Sequence, residues 1–162
     1  MRSIHHSTDR AGFTTLEILI VLIVIGIVSA VVISRSNIGQ PELLARTEAI
    51  KAHIRYAQSR SMNSNRPWGI HVNATGQSYA LFVDGNIANR RILPGEDGDW
   101  VDLDAHGLSL APGDTAISFD DRGRPLASDG TTLRANDLDL TVSAAAGDTT
   151  AIRITRNTGF VP

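Results

Sequence analysis

The feature that most constrains this chain is a long apolar stretch near its N-terminus. From residue 13 to 33 the sequence reads FTTLEILIVLIVIGIVSAVVI, and Glu17 is its only charged residue. A helix over this stretch is about 30 Å long, which matches the thickness of the hydrocarbon core of a bilayer. The stretch therefore predicts a helix that crosses a membrane once.

The residues ahead of this stretch predict its orientation. Residues 1–12 are polar and contain two arginines, two histidines and a single acid, Asp9. A weakly positive N-terminal segment favours the cytoplasmic side of a membrane. The rest of the chain is then expected on the opposite side.

An ordinary secretory signal peptide is the alternative interpretation of this region. Its apolar part would be residues 18–28, and Val28-Ser29-Ala30 would serve as the cleavage site. Against it, the apolar run continues through residues 31–33, and Glu17 lies inside the apolar segment. A carboxylate within an apolar helix costs about 3 kcal/mol on insertion scales, so Glu17 needs a reason to be there. One alternative is that Glu17 only snorkels to the lipid headgroups near the end of the helix.

The residues around Glu17 also form a motif. Gly12-Phe13-Thr14-Thr15-Leu16-Glu17, followed by the aliphatic run, resembles the prepilin cleavage and methylation motif of type IV pilins and type II secretion pseudopilins. The resemblance implies that a prepilin peptidase, which is also a methyltransferase, cuts between Gly12 and Phe13 and N-methylates Phe13. Glu17 is then the assembly carboxylate, paired with the cationic Phe13 amine of a neighbouring subunit. A slipped subunit would leave both charges unpaired, so this pair would fix the axial register.

A second helix is predicted after the apolar stretch. Residues 34–41, SRSNIGQP, interrupt the apolar pattern, and Pro41 suits the first turn of a new helix. Apolar and small residues then recur at alternating steps of four and three, which predicts an amphipathic helix ending near Met62. The residues of this stripe are Leu43, Thr47, Ile50, Ile54, Ala57 and Ser61. Residues 34–62 are thus expected to form a linker and an amphipathic helix.

Residues 63–162 are expected to form a β-rich head. Short alternating runs separated by turn-forming residues, such as Asp84-Gly85-Asn86, predict antiparallel strands packed on the amphipathic helix, an α+β fold. The predicted strands are 68–72, 78–83, 90–93, 100–103, 108–110, 116–119, 138–142 and 151–155.

The head sequence resembles a particular group of such subunits. Residues 117–125, ISFDDRGRP, precede the strand at 138–142, a hairpin and residues 151–154, with Thr158-Gly159 near the end. This order, with residues 57–72, resembles the GspH/FimT group of minor pseudopilins and minor pilins. The resemblance implies a minor pseudopilin of a type II secretion system, held in the inner membrane with its head in the periplasm. The implied partners are other pseudopilins or pilins, the inner-membrane assembly platform and the lipid bilayer.

A minor pilin of a type IV pilus, of the FimT/FimU kind and linked to DNA uptake in some members, shares every one of these features. It therefore stays open as the alternative. Gene neighbourhood would separate the two, because secretion and pilus systems have different companion genes.

An enzyme is not expected. The sequence has no Gly-x-Ser-x-Gly, no phosphate-binding glycine loop and no histidine pair at helical metal spacing. It also contains no cysteine, which excludes disulfides and thiol chemistry. His53, His71 and His106 are scattered along the chain, and no cofactor is expected.

The acidic segment 96–104 raises a weaker hypothesis of calcium binding. Asp97, Asp99, Asp102 and Asp104 surround the turn at Gly98, and closely spaced carboxylates are ligands that Ca²⁺ prefers. Their spacing does not match an EF-hand loop, so solvated charges on a turn are the commoner explanation.

A second weak hypothesis is nucleic-acid binding through Arg122, Arg124, Arg153 and Arg156. Removing residues 1–12 takes away Arg2, Arg10 and Asp9, which leaves 13 basic and 16 acidic residues. The chain also lacks the clustered Gly-Arg-x-Arg pattern of DNA-binding relatives. Nucleic acid is therefore not an expected partner.

Overall fold

The computed structural model describes residues 14–35 and 39–162. The chain falls into two units, with the boundary between Asn37 and Ile38. Helix α1, Thr15–Arg35, belongs to the first unit. The elements from α2 onward belong to the second unit, which we call the head.

The head contains helix α2, nine strands and a short 3-10 turn. Their bounds are α2 Gly39–Ser64, β1 Trp68–Val72, β2 Ser78–Val83, β3 Asn86–Arg91, β4 Val101–Asp102, the 3-10 turn Asp104–His106, β5 Leu108–Ala111, β6 Ala116–Phe119, β7 Pro125–Leu126, β8 Leu138–Ala144 and β9 Thr149–Ile154. The α+β class predicted from the sequence is confirmed.

The strands form two antiparallel sheets. The larger sheet has the order β3-β2-β1-β6-β7, with β4 also paired to β2, and the smaller has the order β5-β8-β9. Helix α2 packs on β1 and β6 of the larger sheet and on β8 and β9 of the smaller one. The core of the head therefore lies between α2 and both sheets.

The predicted stripe of α2 is buried along its whole length. All six residues are at most 3% exposed. The polar members are satisfied locally: Thr47 Oγ1 donates to the Leu43 carbonyl (2.7 Å), and Ser61 Oγ accepts from the main-chain N–H of Trp68 (2.7 Å). Both hydroxyls therefore keep a hydrogen-bond partner although they are buried, as polar groups in stable cores generally do.

The boundary between the two helices falls within residues 34–41, where the apolar pattern of the sequence is interrupted. Helix α1 ends at Arg35 and α2 begins at Gly39. Pro41 lies in the first turn of α2, where a main-chain N–H has no intrahelical acceptor and proline removes no hydrogen bond. Helix α2 also ends at Ser64, two residues beyond the predicted Met62.

Two strand predictions need correction. A strand was expected at residues 90–93, whereas the structure has β3 at Asn86–Arg91. The strand begins earlier because Asp84 and Gly85, which both have positive φ, form a two-residue hairpin turn that ends directly before Asn86. The strand expected at residues 100–103 is shorter, Val101–Asp102, and a 3-10 turn follows it.

Strand β7 was not predicted. It has two residues, Pro125 and Leu126, which pair with Phe119 and Ser118 of β6. A strand this short has no alternation that a sequence could reveal.

Candidate assembly surfaces

The first turn of α1 is closed by a side-chain cap. The Thr14 hydroxyl accepts the main-chain N–H of Glu17 at 3.3 Å, and the Ile18 N–H donates to the Thr14 carbonyl. Threonine followed three residues later by glutamate is the capping-box pattern, so this cap was visible in the sequence although it was not predicted. Glu17 thus lies in the first turn, where the helix dipole favours a negative charge.

From Leu16 to Ser29, helix α1 presents a largely apolar surface to its surroundings. Every side chain from Thr14 to Ser29 is exposed. Contiguous apolar surface of this extent marks a site that binds a protein or a membrane. The large exposed side chains are Leu16, Ile18, Leu19, Ile20, Val21, Leu22, Ile23, Val24, Ile25, Ile27 and Val28.

Across residues 14–35 and 39–162, no helix meets the combined requirements of length and apolarity for a membrane span.

The predicted cleavage and methylation residues, Gly12 and Phe13, lie outside the described residues, as does the rest of the predicted leader, residues 1–12. Of the three residues to which the N-terminal motif assigns a role, Gly12, Phe13 and Glu17, the structure therefore places Glu17.

The acidic residues considered for calcium binding do not converge on one point. Asp99 Oδ2 accepts from Arg90 Nε at 2.7 Å, and this hydrogen bond lowers the pKa of Asp99. Asp102 Oδ1 accepts the main-chain N–H of Asp104 at 2.9 Å, and Asp104 Oδ1 accepts from Gln77 Nε2 at 2.8 Å. In the described part of the chain, no group of three or more acidic, histidine or cysteine residues could hold a metal ion. Asp97, the fourth residue considered for calcium binding, lies in the same acidic segment, residues 96–104.

The four arginines considered for nucleic-acid binding are also largely engaged. Three have protein oxygens as partners: Arg124 Nε with Asp120 (2.8 Å), Arg153 Nε with Asp139 (2.8 Å) and Arg156 Nη1 with the Ala135 carbonyl (2.9 Å). Arg122 is exposed in the β6–β7 turn. These contacts argue against a phosphate-binding cluster, because most of the charge is already neutralised or hydrogen-bonded.

The three histidines of the head lie in separate places. His53 is buried, and its Nδ1 is 2.8 Å from the Tyr79 hydroxyl; burial lowers the pKa of His53 and raises that of Tyr79. His71 lies 3.6 Å from Asp114 at the surface. His106 lies between Glu42 and Arg46 of α2. We attribute the first to the core and the other two to surface pairing.

An exposed apolar helix with one carboxylate in its first turn, joined to an antiparallel head packed on a second helix, defines a pilin-like protein. Residues 44–159 match the family model described as Type II transport protein GspH, and the chain belongs to this pilin-like family.

Three further matches agree with this class. The chain is 30% identical over 125 residues to the pilin-like protein PilA1 of Thermus thermophilus, covering 72% of this chain and 80% of PilA1. Its fold resembles a crystal structure of the type IV minor pilin FimU of Pseudomonas aeruginosa, with a TM-score of 0.56 at 16% identity over 76% of this chain and 88% of FimU. A second FimU crystal structure gives a TM-score of 0.52 at 14% identity, over 74% of this chain and 90% of FimU. Membership of a pilin-like family implies association with other pilins or pseudopilins.

Proposed function

We propose that this chain is a minor pseudopilin of a type II secretion system, a structural subunit without catalytic activity that joins a periplasmic fibre through α1. The observation that carries the proposal is the exposed apolar surface of α1 with a lone carboxylate in its first turn. Such a helix suits packing against the equivalent helices of neighbouring subunits. The GspH family match supports the type II assignment.

Before assembly, the chain is proposed to be held in the inner membrane by residues 13–33, with its head in the periplasm. This part rests on the apolar sequence and on the positive charges of residues 1–12, since Phe13 and the leader lie outside the described residues. Prepilin peptidase would remove residues 1–12, and the assembly platform would receive the processed subunit. Residues 34–62, the linker and the amphipathic helix, would then lead from the anchor to the β-rich part of the head at 63–162.

Glu17 gives the assembly its register in this proposal. Cleavage after Gly12 creates a cationic amine on Phe13, which remains able to carry charge after methylation. Between apolar helices, that amine and the Glu17 carboxylate of a neighbour stabilise only the arrangement in which they meet. The Thr14 cap supports this proposal, because it holds Glu17, three residues further on, in an ordered first turn of the helix.

Mass spectrometry of the protein extracted from membranes of its native host tests the processing. The proposal expects a chain that starts at Phe13 and is heavier by one methyl group. A soluble chain that starts near Val31 would support a secreted domain released by signal peptidase instead. A chain that keeps residues 1–12 would contradict the proposal directly.

A minor pilin of a type IV pilus is the second candidate, favoured by the likeness of the fold to FimU. Deletion of the gene in the native host separates the two. A pseudopilin predicts loss of exoprotein export with surface pili retained, whereas a minor pilin predicts the reverse. Complementation with the full chain should restore whichever function is lost.

A further inference from the structure

The border strands of the two sheets differ in how their outer main-chain groups are used. The strand order places β3 and β7 at the borders of the larger sheet, and β5 and β9 at those of the smaller one. A border strand presents a row of main-chain N–H and C=O groups to its surroundings, and such a row can pair with another chain. Proteins usually cover or interrupt these rows for that reason.

Three of these borders are protected by the chain itself. In β3, the Ala88 N–H donates to the side chain of Asn86 at 2.9 Å, and the register with β2 is irregular. In β5, the Leu110 N–H donates to the Gly76 carbonyl of the β1–β2 turn at 2.7 Å. Strand β7 is bridged by Leu133. The remaining border is β9.

The hairpin between β8 and β9 determines which groups of β9 face outward. At its turn, the Ala144 N–H donates to the Asp148 carbonyl at 2.8 Å, and β9 then pairs with β8 without a register shift. Hydrogen-bonded and non-hydrogen-bonded pairs alternate along an antiparallel ladder, so every second residue from 148 onward bonds to β8. The residues between them direct their main-chain N–H and C=O away from β8. They are Thr149, Ala151 and Arg153.

The outer groups of β9 are unpaired within the described part of the chain. No main-chain hydrogen bond links Thr149, Ala151 or Arg153 to a further segment of residues 14–35 or 39–162. All three residues are exposed. The strand also contains no lysine, proline or bulge, which are common means of blocking such a border. Strand β9 is therefore an open site for one more strand.

The side chains around β9 define the segment that fits there. Leu44 of α2, 57% exposed, lies beside Thr149 and Thr150 at the start of the strand. At the other end, Arg153 donates from Nε and Nη2 to Asp139 at 2.8 and 3.0 Å. A guanidinium has five N–H groups, so others remain for a second carboxylate. This chemistry suits an extended segment with an apolar residue near Leu44 and an acidic residue beside Arg153.

We propose that β9 pairs with an extended segment of a different pilin-like subunit, which adds a strand to the sheet β5-β8-β9. In strand addition of this kind, main-chain hydrogen bonds supply the affinity, and the alternate side chains of the added segment supply the specificity. This inference rests on the proposed function, because it names a contact between the heads of two subunits in one fibre.

Pairing of β9 with β9 of a second copy does not suit the proposed function. Two copies joined through the same strand form an isologous contact, in which each copy occupies the only matching surface of the other. Such a pair is closed and offers no continuation along a fibre. A contact with a different subunit needs only one copy of a minor component.

Ala151→Pro in the full-length chain tests the pairing in the native host. Proline removes the outward N–H of residue 151 but none of the hydrogen bonds between β8 and β9, and border strands accept proline for this reason. The unfolding curve followed by tryptophan fluorescence should therefore be unchanged. Recovery of the chain in isolated fibres should decrease roughly two- to tenfold, as expected for a lost main-chain hydrogen bond. Ala151→Thr, the matched control, keeps the N–H and should be recovered like the unaltered chain.

Photo-crosslinking in the native host identifies the partner. Benzoylphenylalanine is placed at Thr149 of the full-length chain and, as the control, at Ile92, which is 59% exposed and lies outside β9. The residue at 149 should cross-link to one short segment of a different pilin-like subunit, mapped by mass spectrometry, and the residue at 92 should not label that segment. Cross-linking at 149 only to a second copy of this chain, or only to an exported protein, would overturn the assignment of the partner.

The outcomes separate this inference from the proposed function. If the unaltered chain starts at Phe13 and enters the fibre, but Ala151→Pro is recovered as well as Ala151→Thr, the strand pairing is wrong and the proposed function stands. If Ala151→Pro unfolds the head, the cross-link at Thr149 decides alone, and its absence contradicts the pairing. If the unaltered chain neither loses residues 1–12 nor enters a fibre, the proposed function fails and the pairing between subunits fails with it.

Discussion

The two helices of this chain use apolar residues in opposite ways. Helix α2 buries a stripe one or two residues wide per turn and exposes most of its remaining surface, so its apolar contacts lie within the head. Helix α1 is apolar on every side from Ile18 to Val28, and none of those side chains is buried. This difference indicates that the apolar residues of α2 stabilise the folded head, whereas those of α1 suit contacts with other molecules. Substitutions in the two helices should therefore affect different measurements.

The largest effect on the head is expected from Ile54→Ala. Ile54 is fully buried in the α2 stripe, and removing such a side chain costs about 2–5 kcal/mol of unfolding free energy. The matched variant in α1, Ile23→Ala, should leave this free energy unchanged. Denaturant titration of the detergent-solubilised chain, followed by tryptophan fluorescence, measures this, because Trp68 and Trp100 both lie in the head. Equal losses of unfolding free energy in both variants would contradict the difference drawn here between α2 and α1.

The next largest effect on the unfolding free energy is expected from replacing a glycine of the head by alanine, with a glycine of α1 as the control. A methyl group on Gly69 of β1 would overlap the main-chain oxygen of Ile117 and lie 2.7 Å from the Phe82 ring, so Gly69→Ala should destabilise the head by about 1–3 kcal/mol. A methyl group on Gly26 of α1 meets nothing within 4 Å, so Gly26→Ala should cause no loss. The same titration compares them, and a stable Gly69→Ala head would show that the β1–β6 contact is looser than the structure indicates.

A smaller effect is expected from pH. Burial lowers the pKa of His53 in the folded head, so below its unfolded pKa of about 6.5 the unfolded chain binds more protons than the folded one. The unfolding free energy should therefore be fully retained above about pH 6.5 and fall as the pH decreases. His53→Gln should reduce this decline. Unchanged pH dependence in that variant would assign the decline to other groups.

The smallest effect on the head is expected from Glu17→Ala. This residue is exposed in the first turn of α1, so its loss should leave the tryptophan-monitored unfolding curve unchanged. Incorporation into fibres should nevertheless decrease, because the proposed partner of the Phe13 amine is gone. Glu17→Asp keeps the charge and should recover part of the incorporation. Normal incorporation of Glu17→Ala would remove the proposed role of Glu17.

The parts of the fold that were predicted are those with a repeating pattern. The α2 stripe from Leu43 to Ser61 and strands such as β1 and β2 follow helical or alternating periods, and the structure places them as expected. The start of β3 was missed because Asn86 and Asn89 are polar, although Asp84-Gly85 was a hairpin signal. Strand β7 was missed because two residues carry no period.

The candidate surfaces differ in the same respect. Glu17 could be identified because it is one charge in an apolar run, and its Thr14 cap follows a local spacing. Contacts between segments that are distant in sequence could not be identified: Gln58 of α2 donates to the carbonyls of Gly123 and Thr158, and α2 packs against β8 and β9. Such tertiary contacts are not recorded in any local pattern.

The Gln58 amide has a consequence for the order of events during maturation. Its two acceptors lie 65 and 100 residues further along the chain, so the bridge closes only after nearly the whole polypeptide has emerged and collapsed. Contacts of such long sequence separation are slow to form. The C-terminal segment around Thr158 is therefore expected to be among the last parts of the head to become fixed.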